Sequence, residues 1–100
     1  MGGTINKQEN SMSMNNLMET DRQELISKGQ LVKSPIAGVS DFIWSFGRRL
    51  HTSDDAFKEW LCSPVPFLGD RAPFDVLKND ENGEEIIYDL FIRIIFGAPS

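Results

Sequence analysis

The sequence has little of what secreted proteins and metalloenzymes rely on, because it contains one cysteine and one histidine among its 100 residues. Cys62 has no disulfide partner within the chain, and we expect it to be a small buried apolar residue in a reducing, cytoplasmic protein. His51 is predicted to lie at a helix end, where a cationic side chain is favourable. One histidine and one cysteine do not make a zinc site. We therefore expect no enzyme, no cofactor, no metal and no small-molecule substrate.

Long apolar runs are missing as well. No segment approaches the roughly 20 apolar residues that a membrane-spanning helix needs, and the first residues lack the basic start and apolar stretch of a secretion signal. These absences predict a chain with no membrane contact.

Excess positive charge is also missing, since the formal net charge is −5. Residues 1–53 carry six Lys/Arg against five Asp/Glu, whereas residues 54–100 carry four against ten. The second half would repel a phosphate backbone. Any DNA contact would therefore come from Lys28, Lys33, Arg48 and Arg49, for which solvated helix faces are the alternative role.

The first 52 residues predict a tail and two helices. Residues 1–18 lack periodicity and read as a flexible tail. Thr20 and Gln23 have the spacing of a capping box, and Gly29 is typical of a helix end. A second helix is predicted from Pro35 to Leu50, capped by Ser34. Its apolar seam is formed by Ile36, Val39, Ile43, Phe46 and Leu50.

Phe42 and Trp44 fall off this apolar seam. Two explanations stay open: a homodimer interface, or contact with the tail or the first helix.

The second half predicts three more helices. One is capped by Ser53 and stopped by Pro64. The next begins at Pro73 without a side-chain cap, because Ala72 precedes it. The last is predicted to be capped by Asn82 and carries the apolar stripe Ile87, Leu90, Phe91, Ile94 and Ile95. No segment reads as a strand. We predict an all-α domain of about five helices with an anchored Pro/Gly-rich loop.

The predicted loop and last helix carry a family resemblance. "WLCSPVPFLGDRAPFDVL" followed by "NGEEIIYDLFIRIIFG" resembles the toxin-binding domain of Xre/MbcA/ParS-type bacterial antitoxins. The matching residues are Trp60, Leu61, Pro64, Leu68, Gly69, Arg71, Pro73, Leu77, Gly83, Leu90, Arg93, Ile94 and Gly97. Ala72 departs from the family pattern, which has Ser or Thr there. The resemblance covers about residues 53–98 and implies a toxin-binding domain at 53–100. The tail (1–18) and the N-terminal helices (19–52) precede it.

The resemblance implies a non-catalytic antitoxin of a type II toxin–antitoxin system. Such a protein binds and occludes a cognate toxin, usually a RES-type enzyme that degrades NAD, and tends to dimerise. The residues expected to contact the toxin are Arg71, Arg93, Phe96, Gly97, Ala98, Pro99 and Ser100. We expect Trp60, Pro64, Leu68, Gly69 and Pro73 to hold the loop. Arg71 is expected either to bind carbonyl groups at a helix end or to pair with an acid such as Asp75 or Asp89.

Two questions stay open at this point. Arg93 would pair with an acid on the toxin if Ile94 and Ile95 face inward, or it complements the negative end of its own helix.

A DNA-binding regulator of its own operon is the alternative function, and an adaptor dimer is a third. A complete helix-turn-helix domain does not fit before Ser53, so DNA binding without the toxin is not expected.

Overall fold

The computed structural model describes residues 14–97, and these residues fold as the predicted all-α domain. The α-helices are α1 (Met14–Ser27), α2 (Asp41–Gly47), α3 (Asp54–Leu61), α4 (Pro73–Asn79) and α5 (Gly83–Ile95). Short 3-10 turns lie at Arg48–Leu50 and Pro66–Leu68. Within the described range there is no strand, and a single antiparallel bridge joins Val65 to Arg71. No helix in this range is long and apolar enough to cross a membrane.

Helix α1 begins earlier than the sequence predicted. It starts at Met14, so residues 14–18 are helical and do not belong to a tail. Thr20 lies within the helix, where its hydroxyl donates to the carbonyl of Asn16, and it is not a cap. The predicted end is confirmed, because Gly29 has a φ of 69°, a conformation that suits glycine. The rest of the predicted tail lies outside the described residues.

Helix α2 is much shorter than the predicted helix from Pro35 to Leu50. Its cap is Ser40, whose hydroxyl accepts from the Ile43 N–H. Ser34 instead closes a local turn, with its Oγ accepting from the Ile36 N–H at 3.1 Å. Gly38 interrupts any longer helix because its φ is 92°.

The second half follows the sequence more closely. Ser53 caps α3, with its hydroxyl accepting from the Ala56 N–H. Ala72 gives α4 no side-chain cap, as predicted. Asn82 is not a side-chain cap for α5, which corrects the prediction. At the tight turn into α5, a Cβ on Gly83 would lie 2.3 Å from the Val76 carbonyl oxygen.

The core is dominated by aromatic rings from α2, α3 and α5. The rings of Phe46 and Phe91 stack with centroids 5.6 Å apart, and those of Trp44 and Phe57 are 5.3 Å apart. Phe42 is fully buried and Trp44 is 3 % exposed. Both rings are therefore core residues of a single chain. Of the two explanations left open, the dimer interface is wrong, and contact with the first helix is found for Phe42, whose ring centroid lies 5.3 Å from the Arg22 guanidinium carbon of α1. Apolar residues lie off the predicted seam because α2 is short and is buried on nearly all sides.

Candidate protein-binding surface

The apolar stripe of α5 passes from the core into solvent along the helix. Ile87, Tyr88 and Phe91 are fully buried. One turn later, Ile94 and Ile95 are each 45 % exposed and Phe96 is 78 % exposed. The expectation that Ile94 and Ile95 face inward is wrong. We call Ile94, Ile95 and Phe96 the apolar end of α5.

Backbone geometry stops the helix next to this apolar end. Gly97 adopts a φ of 71°, and its N–H donates to the Ile94 carbonyl at 3.2 Å. This is the predicted glycine stop. Ala98, Pro99 and Ser100, which the resemblance assigns to toxin contact, lie outside the described residues.

Arg93 connects the last turn of α5 to the Pro/Gly-rich loop. Its guanidinium carbon lies 4.7 Å from the centroid of the Phe67 ring, within the range of a cation–π interaction. Its Nε also donates to Asp89 one turn earlier, at 3.4 Å. Arg93 therefore has partners on its own chain, and it holds the Phe67 side of the loop against α5.

The loop is held by its backbone at both ends. The Val65 N–H donates to the Arg71 carbonyl at 3.1 Å. This hydrogen bond joins the two ends of the segment that contains the Pro66–Leu68 turn. Gly69 and Asp70 both adopt left-handed conformations, with φ of 71° and 65°. Leu68 is partly buried and packs on the core. The loop is therefore anchored, as the sequence predicted.

Arg71 fastens this loop to both ends of α4. Its Nε donates to Asp75 at 3.0 Å, and its Nη1 and Nη2 donate to the two carboxylate oxygens of Asp80 at 3.1 and 3.0 Å. Hydrogen bonds from Arg71, and secondarily from Asn79, lower the pKa of Asp75. The same carboxylates raise the pKa of Arg71, Asp80 contributing most. The prediction of Asp75 as a partner is confirmed, whereas Asp89 pairs with Arg93 instead.

Asp80 was missed because nothing in the local pattern marks it as a partner of Arg71. The two residues are nine positions apart, and their meeting depends on where α4 ends. The uncapped helix start at Ala72 indicates that some other group stabilises that turn, but this signal concerns the start of α4 and not Asp80 at its end.

The other loop residues divide into packed and exposed groups. Trp60 is half-buried and its ring lies 5.8 Å from that of Phe91. Pro73 is buried, whereas Pro64 is exposed. Cys62 is exposed, so the prediction of a buried thiol is wrong. It lies at the end of α3, one step beyond the buried Leu61.

Of the four candidate DNA contacts, Arg48 and Arg49 share one 3-10 turn, whereas Lys28 follows α1 and Lys33 lies between α1 and α2. Lys28 pairs with Glu24 at 3.2 Å, and Arg48 pairs with Asp54 at 3.0 Å. Arg49 lies over the Phe46 ring, 6.0 Å from its centroid, and Lys33 is exposed. Two of the four charges are therefore offset by carboxylates of the chain itself.

Comparison with known proteins identified no relative of this chain. No protein-family model matches it, and no curated protein or solved structure matches it significantly.

Proposed function

We propose that this protein is an antitoxin that binds and occludes a cognate RES-type NAD-degrading toxin. The observation that supports it best is the apolar end of α5, where Phe96 is 78 % exposed directly beyond a buried stretch of the same helix. Large aromatic side chains in such positions are typical anchors of protein interfaces. The resemblance of the loop and last helix to the antitoxin family supports the choice of partner.

The energetics favour a protein partner for this surface. Burying a fully exposed phenylalanine or isoleucine side chain contributes about 1.5–3 kcal/mol. Phe96 is 78 % exposed, whereas Ile94 and Ile95, at 45 %, have less surface left to bury. The neighbouring loop adds a surface that is already ordered, because Arg93 lies over Phe67 and Arg71 binds Asp75 and Asp80. An ordered surface loses less conformational entropy on binding than a flexible one. In this proposal Arg71 and Arg93 support the toxin-binding surface, and the protein itself performs no catalysis.

Co-expression with the product of the neighbouring gene tests the proposal. That product should arrest growth when expressed alone and should be neutralised by the intact chain. A Phe96→Ser variant should keep its helical circular dichroism and lose most of its protection, and so should a chain that ends at Phe96. If the neighbouring product is harmless alone, or if it stays toxic in the presence of the intact chain, the antitoxin function is wrong.

Ile26→Ser provides a matched control. Ile26 is 49 % exposed, close to the exposure of Ile95, but it lies on α1. Ile95→Ser should weaken protection whereas Ile26→Ser should not. Equal loss in both variants would indicate a general effect of surface hydrophobicity and would remove the assignment to the apolar end of α5.

Homodimerisation and operator binding are measured separately on the purified protein. Light scattering at micromolar concentration reports the oligomeric state. Because Phe42 and Trp44 are buried, they no longer argue for a homodimer. A salt-dependent mobility shift on the operon's own promoter, seen without the toxin, would favour the DNA-binding alternative.

A further inference from the structure

A cleft of about 460 Å³ lies between the segment that follows α1 and the junction of α2 with α3. Its walls include Gln30, Arg48, Arg49, His51, Ser53 and Asp54. Its volume falls within the range of small-molecule sites. It is lined by none of the residues of the apolar end of α5 or of the Pro/Gly-rich loop. We propose that this cleft binds a small phosphate-bearing anion of about mononucleotide size.

The charge of the cleft is opposite to that of the protein. The chain has a formal net charge of −5, yet the lining holds two arginines against one carboxylate. Arg48 already binds Asp54 through Nε and Nη2, at 3.0 and 3.2 Å. Arg49 makes no ion pair with any residue in the described range. Arg49 is therefore the cation that can take a phosphate, since a guanidinium binds phosphate through two parallel hydrogen bonds.

His51 gives the cleft a fixed polar wall. Its Nδ1 lies 3.1 Å from the Gly47 carbonyl oxygen, and because a carbonyl only accepts, Nδ1 carries the proton. In the neutral ring the other nitrogen, Nε2, is an acceptor, so it suits a hydroxyl or N–H of the ligand and not a phosphate oxygen. The ring is held between neighbours, with centroids 5.0 Å from Phe57 and 5.4 Å from Trp60.

Neutral donors complete the wall. The Ser53 hydroxyl oxygen accepts from the Ala56 N–H at 3.1 Å, so its own O–H can still donate to a ligand. Gln30 and Thr52 line the same cleft, and each carries a side chain that can donate a hydrogen bond. A group with several oxygen acceptors, such as a phosphate ester, matches this set of donors.

A small anion fits the cleft better than duplex DNA does. A duplex presents a long row of phosphates and needs several well-separated cations, whereas Arg49 is the one arginine of this lining that has no carboxylate partner. Residues 54–100 also carry ten Asp/Glu against four Lys/Arg, which opposes the approach of a long polyanion.

Calorimetric titration of the full chain with AMP and with inorganic phosphate tests the proposal. Saturable binding of AMP with one site per chain is expected, and inorganic phosphate should compete for it. Arg49→Gln should weaken AMP binding about tenfold, the effect of losing a charge-assisted hydrogen-bonding group. Lys58→Gln changes the net charge by the same amount on an exposed face of α3 and should leave AMP binding unchanged.

Two adjacent aspartates supply a sharper comparison. Asp54 and Asp55 both lie in the first turn of α3. Replacing either by Asn therefore removes one negative charge next to the helix N-terminus. Asp54→Asn also releases Arg48 and should strengthen AMP binding several-fold, whereas Asp55→Asn should change it little.

Three results would overturn the proposal: no saturable binding of AMP or phosphate, equal effects of the two aspartate substitutions, or no loss of affinity in Arg49→Gln. Tighter and steeply salt-dependent binding of duplex DNA, lost in Arg49→Gln, would assign the cleft to the nucleic-acid backbone instead. None of these results depends on the toxin, so the antitoxin function can fail or succeed independently.

Discussion

Arg71 and Asp80 are joined by two parallel hydrogen bonds, 3.1 and 3.0 Å long, across nine positions of the chain. Arg71 also holds Asp75 with its Nε at 3.0 Å. The loop before α4 and the residue that ends α4 are thereby fixed by one guanidinium. Arg71 therefore has a role in the fold that is separate from any contribution to the proposed toxin binding.

Substitution of Asp80 and substitution of Asp75 should lower the melting temperature by different amounts. Asp80→Asn removes a carboxylate that accepts two charge-assisted bonds from Arg71 and should lower the melting temperature more than Asp75→Asn, which removes one such bond and a neutral bond from Asn79. Arg71→Lys should resemble Asp80→Asn, because an ammonium cannot reproduce the bidentate geometry. Thermal unfolding followed by circular dichroism measures the order, and an equal loss in both aspartate variants would contradict it.

The pH dependence of stability follows from the lowered pKa of Asp75. A carboxyl group with a lower pKa in the native state stabilises the fold above its unfolded pKa and loses that contribution as the pH falls. For an aspartate with an ordinary pKa near 3.9, the loss sets in below about pH 4. Urea unfolding of wild type and Asp75→Asn should therefore converge as the pH falls below 4. Parallel curves would contradict the assignment.

Trp44→Ala should destabilise the fold without changing the oligomeric state of the protein. The side chain is 3 % exposed and lies against the Phe57 ring, so truncation leaves a cavity in the core. The expected cost is about 3–5 kcal/mol of unfolding free energy. Urea unfolding measures that cost, and light scattering at fixed concentration should give the same mass for variant and wild type. A decrease in mass with unchanged stability would restore the interface that the sequence suggested.

Gly47→Ala tests how closely α2 packs on its neighbours. A Cβ at Gly47 would lie 2.2 Å from Cζ of Phe57 and 2.8 Å from Cζ of Phe91. Both rings are buried on every side, so the core must shift, at an expected cost of about 3 kcal/mol. Combining Gly47→Ala with Phe57→Leu should cost less than the sum of the two, because the smaller side chain relieves the clash.

Gly29→Ala is the matched control for this prediction. Gly29 has a φ of 69°, but a Cβ added there would meet no heavy atom within 4 Å. Its replacement should cost about 1 kcal/mol from backbone conformation alone. Equal losses at Gly29 and Gly47 would show that contact with the rings does not limit the substitution.

The sequence predicted helices best where a cap and a stop are both local. Ser53 and Pro64 bound α3 correctly because a serine hydroxyl and a proline act within one turn. The error at α2 arose because Ser34 followed by Pro35 and Ser40 followed by Asp41 are equally good starts. Gly38 between them was the available signal, since a glycine inside a predicted helix often marks a break.

The candidate surface was only partly predictable. Helical periodicity identified the stripe that ends in Ile94 and Ile95, but it could not tell where the core stops, because burial depends on how far neighbouring helices extend. The cation–π contact between Arg93 and Phe67 was not predictable for the same reason. The two residues meet only because the loop folds back on α5.

Tyr88 provides a spectroscopic test of how α1 is attached to the core. Its hydroxyl donates to Asp21 on α1, and its ring is fully buried against the α2 residues Phe42 and Phe46. Burial first, and the bond to Asp21 second, raise the pKa of Tyr88. It is the single tyrosine of the chain, so the ultraviolet absorbance of tyrosinate reports on this residue alone.

The sign of the effect follows from the raised pKa of Tyr88. The unfolded chain loses the tyrosine proton near pH 10, whereas the native protein keeps it. The contribution of Tyr88 to the free energy of unfolding is therefore fully present below pH 10 and decreases as the pH rises further. Tyrosinate absorbance should therefore appear together with loss of helical circular dichroism. Tyr88→Phe should cost about 1 kcal/mol at neutral pH and should lose less stability than wild type above pH 10. Tyrosinate that forms near pH 10 while the helices remain intact would show that Tyr88 is accessible and that α1 does not cover it.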